Sequence, residues 1–271
     1  MSKATKALLA VLALAAVAGA VLFGWLRAPS EPVAQPATAP AAAVASAPQP
    51  APESAIVHPI EAPPDQPLQA GEVAPALTEL LGRKAVLSFF QVDDFPRRFA
   101  ATVDNLGRAH APPAVWPVNP MAGRFTVEER DGATFIAADN SSRYTPFVLL
   151  AETVDIRRAV DLYVRMYPLL QKSYEELGYP KRYFNDRLIA VIDQMLATPE
   201  REEPLKLELT NVKGPIPSER PWVRYQYVDP ELEALSAGQK ILLRVGPVNA
   251  RRLKAKLAEI RDELVRRGTK R

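Results

Sequence analysis

Three observations predict the fold class: mainly α, a helical domain with two small β-hairpins, preceded by one transmembrane helix and a disordered Pro/Ala tether. The chain opens with a twenty-residue run that carries no charge, passes into a stretch rich in proline and alanine, and then shows helical periodicity broken by two pairs of short alternating segments. The expected layout is residues 1–27 as anchor or signal sequence, 28–70 as linker and 71–271 as the folded domain.

Ala7 to Leu26 is the uncharged run, preceded by Lys3 and Lys6 and closed by Arg27. Twenty helical residues span roughly 30 Å, the thickness of a bilayer's hydrocarbon core. Seven of the twenty are Ala, so insertion rests on Leu, Val and Phe, each worth about −0.3 to −0.6 kcal/mol at the helix centre. The competing reading is a cleaved signal peptide with Ala18-Gly19-Ala20 as its processing site. Cleavage there would leave Val21 to Leu26 as a greasy new terminus, which favours the anchor. The lysines before the run, and the lack of any base between Arg27 and Arg83, orient the N-terminus to the cytoplasm and the bulk outside.

Ala28 to Ala70 contains 11 Pro, 13 Ala, four acids and no Lys or Arg. So few large apolar side chains cannot offset the entropy of ordering, which predicts a tether, partly polyproline II. Its reach is roughly 35–40 Å as a coil and about 130 Å as a rod.

In the domain, Val73 to Leu81 reads as a short helix stopped by Gly82, and Lys84 to Phe90 as a second amphipathic piece. Asp93 or Asp94 is placed to cap a helix through Leu106, with Pro96 in its first turn. Asp131-Gly132, between Phe125–Val127 and Thr134–Ile136, signals a hairpin. Thr145-Pro146 opens a helix to Thr153. Asp155 caps the longest internal helix, running to Gly178, in which Pro168 predicts a kink or break. Tyr183 to Leu196 has one apolar arc. Leu205–Leu209 and Trp222–Tyr227 alternate with period two and read as a second hairpin. Asp229–Leu235 is a short helix, Ser236 with Gln239 forms a capping box, and Pro247 opens a last helix closed by Gly268.

The absence of cysteine excludes disulfides, thiol nucleophiles, iron–sulfur clusters and zinc-thiolate sites. Histidine occurs twice, as His58 in the tether and His110 beside a proline-rich loop, and no metal-binding histidine pair, nucleophile elbow, phosphate loop or calcium loop is present. No cofactor or metal is expected. The Gly246-Pro247 turn resembles half of a helix-hairpin-helix element, but Arg244 replaces that element's first glycine. Nucleic acid is therefore not an expected partner.

Three groups of residues are candidate sites. Asn185, Asp186 and Arg187 form a possible polar network; Asp186 and Asp193 lie seven apart on one helix, about 10 Å along its axis, the upper limit for an inverting glycosidase pair. A solvated face tied by salt bridges is the structural alternative. Tyr163, Tyr167 and Tyr174 fall within about 40° on one helix face, with Tyr183 following, and could stack on sugar rings if exposed or pack in the core if not. Arg251, Arg252, Lys254, Lys256, Arg266 and Arg267 belong to a terminal segment, Arg244–Arg271, with ten bases and three acids. This helix could meet a partner, or dock on the mildly acidic body. Its seam of Ala250, Leu253, Leu257, Ile260 and Leu264 suits one partner helix.

Phe99 to Leu106, Tyr183 to Ile189, Asp229 to Lys240 and Gly246 to Ala250 together resemble a family of uncharacterised bacterial membrane-anchored envelope proteins, classed only as a domain of unknown function. The resemblance spans about residues 71–268 and implies an anchor, a tether and an envelope location, without an activity. The expectation is a non-catalytic interaction or scaffold protein, single-pass in a bacterial inner membrane, its bilayer contact at residues 7–26 and its domain periplasmic. Its expected partner is an envelope protein or cell-wall glycan. A peptidoglycan- or glycan-binding module is the alternative, and a glycan hydrolase using Asp186 a lesser one.

Overall fold

The helix expected behind Asp155 forms the axis of the domain. In the computed structural model, which describes residues 55–60, 66–210 and 221–268, the Asp155 carboxylate accepts the Arg158 N–H at 3.1 Å and opens a helix over Ile156–Glu176 (α5). The anchor expected over 1–27 and most of the tether expected over 28–70 lie outside the described residues. The break expected at Pro168 does not occur, and α5 is continuous. Proline removes one main-chain donor, while Val164, Met166 and Tyr167 before it and Leu170 and Tyr174 after it are all buried and hold both halves in one core.

Before α5 come Val73–Leu81 (α1), Arg83–Phe89 (α2), Phe95–Leu106 (α3), Val127–Arg130 (β1), Ala133–Ile136 (β2) and Thr145–Thr153 (α4). After it come Phe184–Leu196 (α6), Lys206–Leu209 (β3), Tyr225–Tyr227 (β4), Pro230–Glu233 (α7), Ala237–Arg244 (α8) and Pro247–Gly268 (α9). Pro96 sits in the first turn of α3 as expected. Asp94, however, makes no side-chain cap: it holds a left-handed backbone, φ 51°, and its carboxylate lies 3.7 Å from Arg97.

α3, α5 and α6 pack together and α9 lies across α4, α5 and α6. Ala100, Leu170 and Phe184 are fully buried where they meet. Phe99 meets Phe184 edge-on at 6.2 Å, and Phe184 in turn faces Tyr174 at 5.4 Å. The seam expected to take one partner helix is thus shared among several helices of the same chain, with Leu264 completely enclosed.

The two expected hairpins are one sheet. Asp131 and Gly132, both at positive φ (52° and 71°), turn β1 into β2. β2 then pairs antiparallel with β3 (Thr134 opposite Leu207) and β3 with β4 (Leu207 opposite Tyr227), giving the order β1-β2-β3-β4. Trp222 lies in a separate turn, Pro221–Val223, before β4. A two-stranded hairpin is marginal alone in water; joined, the four strands bury Leu207 and Tyr227 against Leu232 and Leu243 as a second, smaller core.

The expected linker boundary at residue 70 moves. Ile60 and Leu68 are buried in the main core, and the Leu68 N–H donates to the Arg165 carbonyl at 3.0 Å. No helix among the described residues is long and apolar enough to cross a membrane.

Candidate functional site

The first turn of α6 presents Tyr183, Asn185, Asp186 and Arg187 at successive angles around the helix. Its start is fixed from outside: the Gln171 amide oxygen, from α5, accepts the Phe184 N–H at 2.9 Å and the Tyr167 hydroxyl at 3.0 Å. The Gln171 NH2 group also donates to the Arg182 carbonyl at 2.9 Å and to Glu175 at 2.8 Å. Gln171 thus staples α5 to α6.

The expected network exists, but in two parts. Asp186 faces residues 57 and 58, accepting the Val57 N–H at 3.1 Å and the His58 N–H at 2.7 Å. Asn185 is wholly buried; it donates to the His58 carbonyl at 2.9 Å and accepts the Tyr163 hydroxyl at 3.0 Å. Tyr183 completes this half, its hydroxyl accepting the Ile60 N–H at 2.7 Å and donating to the Ile60 carbonyl at 3.1 Å. Five main-chain groups of residues 57–60 are therefore held by three side chains of one turn. We refer to this short segment as the strap.

Arg187 points the other way. Its guanidinium donates to the Asp104 carboxylate at 3.1 Å and to the Asp104 carbonyl at 2.6 Å, locking α6 to α3. Asp104 also takes Arg108 at 2.6 Å and the Tyr179 hydroxyl at 3.2 Å. Gly107 leaves the room this needs: a Cβ there would lie 2.8 Å from the Arg187 guanidinium.

The tyrosine stripe is core. Tyr163, Tyr167 and Tyr174 are each less than a tenth exposed, so their rings offer no face for stacking on a sugar; only Tyr183 is half-buried. Burial pushes the Tyr163 and Tyr167 hydroxyls far above the usual phenol range, with the neighbouring hydroxyl of Tyr183 adding to both, and burial raises Tyr174 as well. The Tyr163 and Tyr167 phenols act as neutral hydrogen-bonding groups.

The basic helix is docked on the chain's own acids. Arg251 pairs with Glu202, Arg252 grips Glu152 with two nitrogens, and Lys254 donates to the Thr198 carbonyl at 3.0 Å with Glu200 at 3.7 Å. Lys256 meets Glu259 at 2.9 Å, Arg266 pairs with Glu263, and Arg267 binds Glu263 at 3.0 Å and Asp161. The hydrogen bond from Arg252 holds the Glu152 carboxyl below its ordinary value. Asp193, expected as a possible partner of Asp186, is instead paired with Arg261. Asp186 thus holds two amides and Asp193 a guanidinium, so the two acids serve separate contacts.

Asp104, Gln171, Lys240 and Asn249 escaped the sequence reading. Each is an ordinary polar residue on a helix whose partner lies on another element or several residues away. Lys240, nearly enclosed, donates to Glu233 at 2.8 Å and to the Glu233 carbonyl at 3.1 Å. The buried Asn249 donates to the Ser141 and Val245 carbonyls at 2.9 and 3.0 Å. The turn that resembled a DNA-binding element has a packing role: Gly246 links α8 to α9 at φ 86° and lies against Ser141. Among the described residues no group of three or more histidine or acidic side chains could hold a metal ion.

The family model described as "Protein of unknown function (DUF3014)" matches residues 95–261. The chain belongs to this family. The DUF3014 match begins at the first residue of α3 and ends within α9, so it takes in Asp104, the α6 turn and the whole sheet and leaves out α1, α2 and the strap. No curated protein and no solved structure matches the chain.

Proposed function

We propose that this protein is a membrane-tethered interaction or scaffold module of the bacterial envelope, without catalytic activity of its own. The observation that carries the reading is how the α6 turn spends its polar groups: Tyr183, Asn185 and Asp186 bond to the main chain of a peptide segment, not to one another around a cleft. Such a turn binds and orients polypeptide. The order of the chain supports the location: positive residues, an apolar run of bilayer length, a Pro/Ala stretch with the composition of a spacer, then the domain. A domain carried this way works at a distance from the bilayer.

The chain contains no cysteine, so single introduced thiols report topology without background. With Pro40→Cys and Thr269→Cys in separate full-length chains, a membrane-impermeant maleimide is expected to label both in intact spheroplasts. Labelling of neither until the membrane is broken would place the domain in the cytoplasm and overturn the reading. Pull-down with purified sacculi, compared with site-specific crosslinking to envelope proteins, separates a protein partner from the cell wall. Retention on sacculi alone would replace the scaffold reading with a glycan-binding one.

A further inference from the structure

The strap is held in an unusual way for a piece of a folded domain. Apart from Ile60, which reaches the main core, its side chains stay half-buried or exposed: Val57 is 69 % exposed, and Ile56 just before it 55 %. Its anchorage is main-chain recognition. Two successive N–H groups, of Val57 and His58, converge on one carboxylate, the His58 carbonyl meets the Asn185 amide, and the Ile60 N–H and carbonyl share the Tyr183 hydroxyl. Adjacent amides aimed at one anion form a nest, and the anion here is supplied by the domain. Nothing in this arrangement reads the side chains at 57 and 58. The site selects a bent peptide with two free successive amides and an apolar residue two positions after them.

The receptor half is preorganised without the strap. Gln171 fixes the start of α6, Arg187 is locked to Asp104, and the Tyr163 hydroxyl holds the Asn185 amide oxygen. In the ligand half, Pro59 also passes beside Gly268 at the end of α9. One of the strap's five hydrogen bonds, from Val57, is exposed and the other four are only part-buried, and a short segment tied by such bonds and one apolar side chain opens locally, ahead of the body.

We propose that Tyr183, Asn185 and Asp186, with the pocket that takes Ile60, form a peptide-binding site, occupied in this chain by its own residues 57–60, and that a partner protein's segment of the same pattern takes their place when the strap leaves. The strap is thus an intramolecular competitor for the partner. The biological setting rests on the interaction-module reading above, but binding itself does not, because it is measured on purified protein.

The test uses the full chain in detergent and a fluorescent peptide of residues 54–61 as the probe. Substituting Val57→Pro, His58→Pro and Ile60→Ser together removes the two amides and the apolar anchor from the competing strap without touching α6. This released chain is expected to bind the peptide at least ten-fold more tightly than the wild type, and adding Asp186→Ala is expected to remove at least ten-fold of that affinity. A released chain with a near-wild-type melting curve that fails to bind, or binding indifferent to Asp186→Ala, overturns the proposal. Should the released chain not fold, hydrogen exchange on the wild type decides. The Val57, His58 and Ile60 amides should exchange at least ten-fold faster than those of Ile189 and Ile192, and faster still in Asp186→Asn. Exchange of the strap in step with α6 would make it an inseparable part of the body and sink the idea. A cytoplasmic location in the thiol-labelling experiment would remove the envelope setting and leave this peptide site standing.

Discussion

Asp186 accepts the main-chain N–H groups of Val57 and His58, 129 and 128 positions earlier in the chain, at 3.1 and 2.7 Å. Of all the contacts made by the candidate residues, this one changes most what the sequence implies. A carboxylate on an amphipathic helix face would ordinarily be solvated or salt-bridged; here it holds two amides within the stretch that composition alone assigns to a tether.

Asn185, beside it, is predicted to matter more for stability. It is fully buried and satisfies both the Tyr163 hydroxyl and the His58 carbonyl. Asn185→Leu leaves that hydroxyl without an acceptor in the core, and the expected loss is about 2–4 kcal/mol by urea unfolding. Adding Tyr163→Phe removes the orphaned hydroxyl and should recover about 1 kcal/mol or more, a coupling that a double-mutant cycle reads directly.

Alkaline conditions should unfold the protein steeply. Tyr163, Tyr167, Tyr174 and Tyr227 have pKa values raised in the fold, chiefly by burial, against an ordinary value of 10. Above pH 10 the unfolded chain releases these protons while the folded chain keeps them, so stability is full below pH 10 and falls as pH rises toward the folded values. Four such groups give a slope approaching about 5 kcal/mol per pH unit. Tyr163→Phe is expected to reduce that slope by about a quarter, measured by unfolding at a series of pH values; an unchanged slope would contradict the burial argument.

Gly246 can be replaced only at a cost with two separable parts. Its φ of 86° strains any side chain, and a Cβ would lie 2.8 Å from that of Ser141. Gly246→Ala should lose about 1–3 kcal/mol in thermal or urea unfolding. Ser141→Gly in that background relieves the collision but not the dihedral strain, so rescue is expected to be partial. Full rescue would assign the whole effect to packing.

The Glu233–Lys240 pair predicts behaviour on the acid side. Burial alone would raise the Glu233 carboxyl, but the Lys240 hydrogen bond, the Tyr227 N–H and the nearby cations outweigh it and hold the group below its ordinary 4.5. Its contribution is present above about pH 4.5 and is lost as pH falls through the lower folded value. Glu233→Gln should therefore flatten the stability curve below that pH. Lys240→Met, which leaves Glu233 without its cation, should destabilise at neutral pH more than in acid.

Local features were legible in the sequence wherever the signal is carried by neighbours in the chain. The limits of α1, the Asp155 cap, the Asp131-Gly132 turn and the reciprocal Ser236–Gln239 capping box depend on residues within a turn of each other, and the structure contains all of them. Asp94 fails as a cap because its backbone turns left-handed and its carboxylate faces Arg97. The α6 cluster at Asn185, Asp186 and Arg187 was also visible as a dense polar run before an apolar arc. What each residue bonds to was not, since those partners lie on the strap and on α3.

The sequence by itself determined the helical class, most element limits, the absence of thiol chemistry and the separation of a basic end from a mildly acidic body. Periodicity, caps and turns act over three or four residues, and charge counts need no structure at all. Only the tertiary structure decided that the two hairpins share one sheet, through Thr134 opposite Leu207. It also turned the tyrosine stripe inward, docked the basic helix on its own acids, and clipped the Val57 and His58 amides, within the stretch that composition assigns to a tether, to Asp186. Each of those outcomes is a choice of partner across tens of residues, made by which apolar faces must be buried together and which polar groups that burial brings within bonding distance.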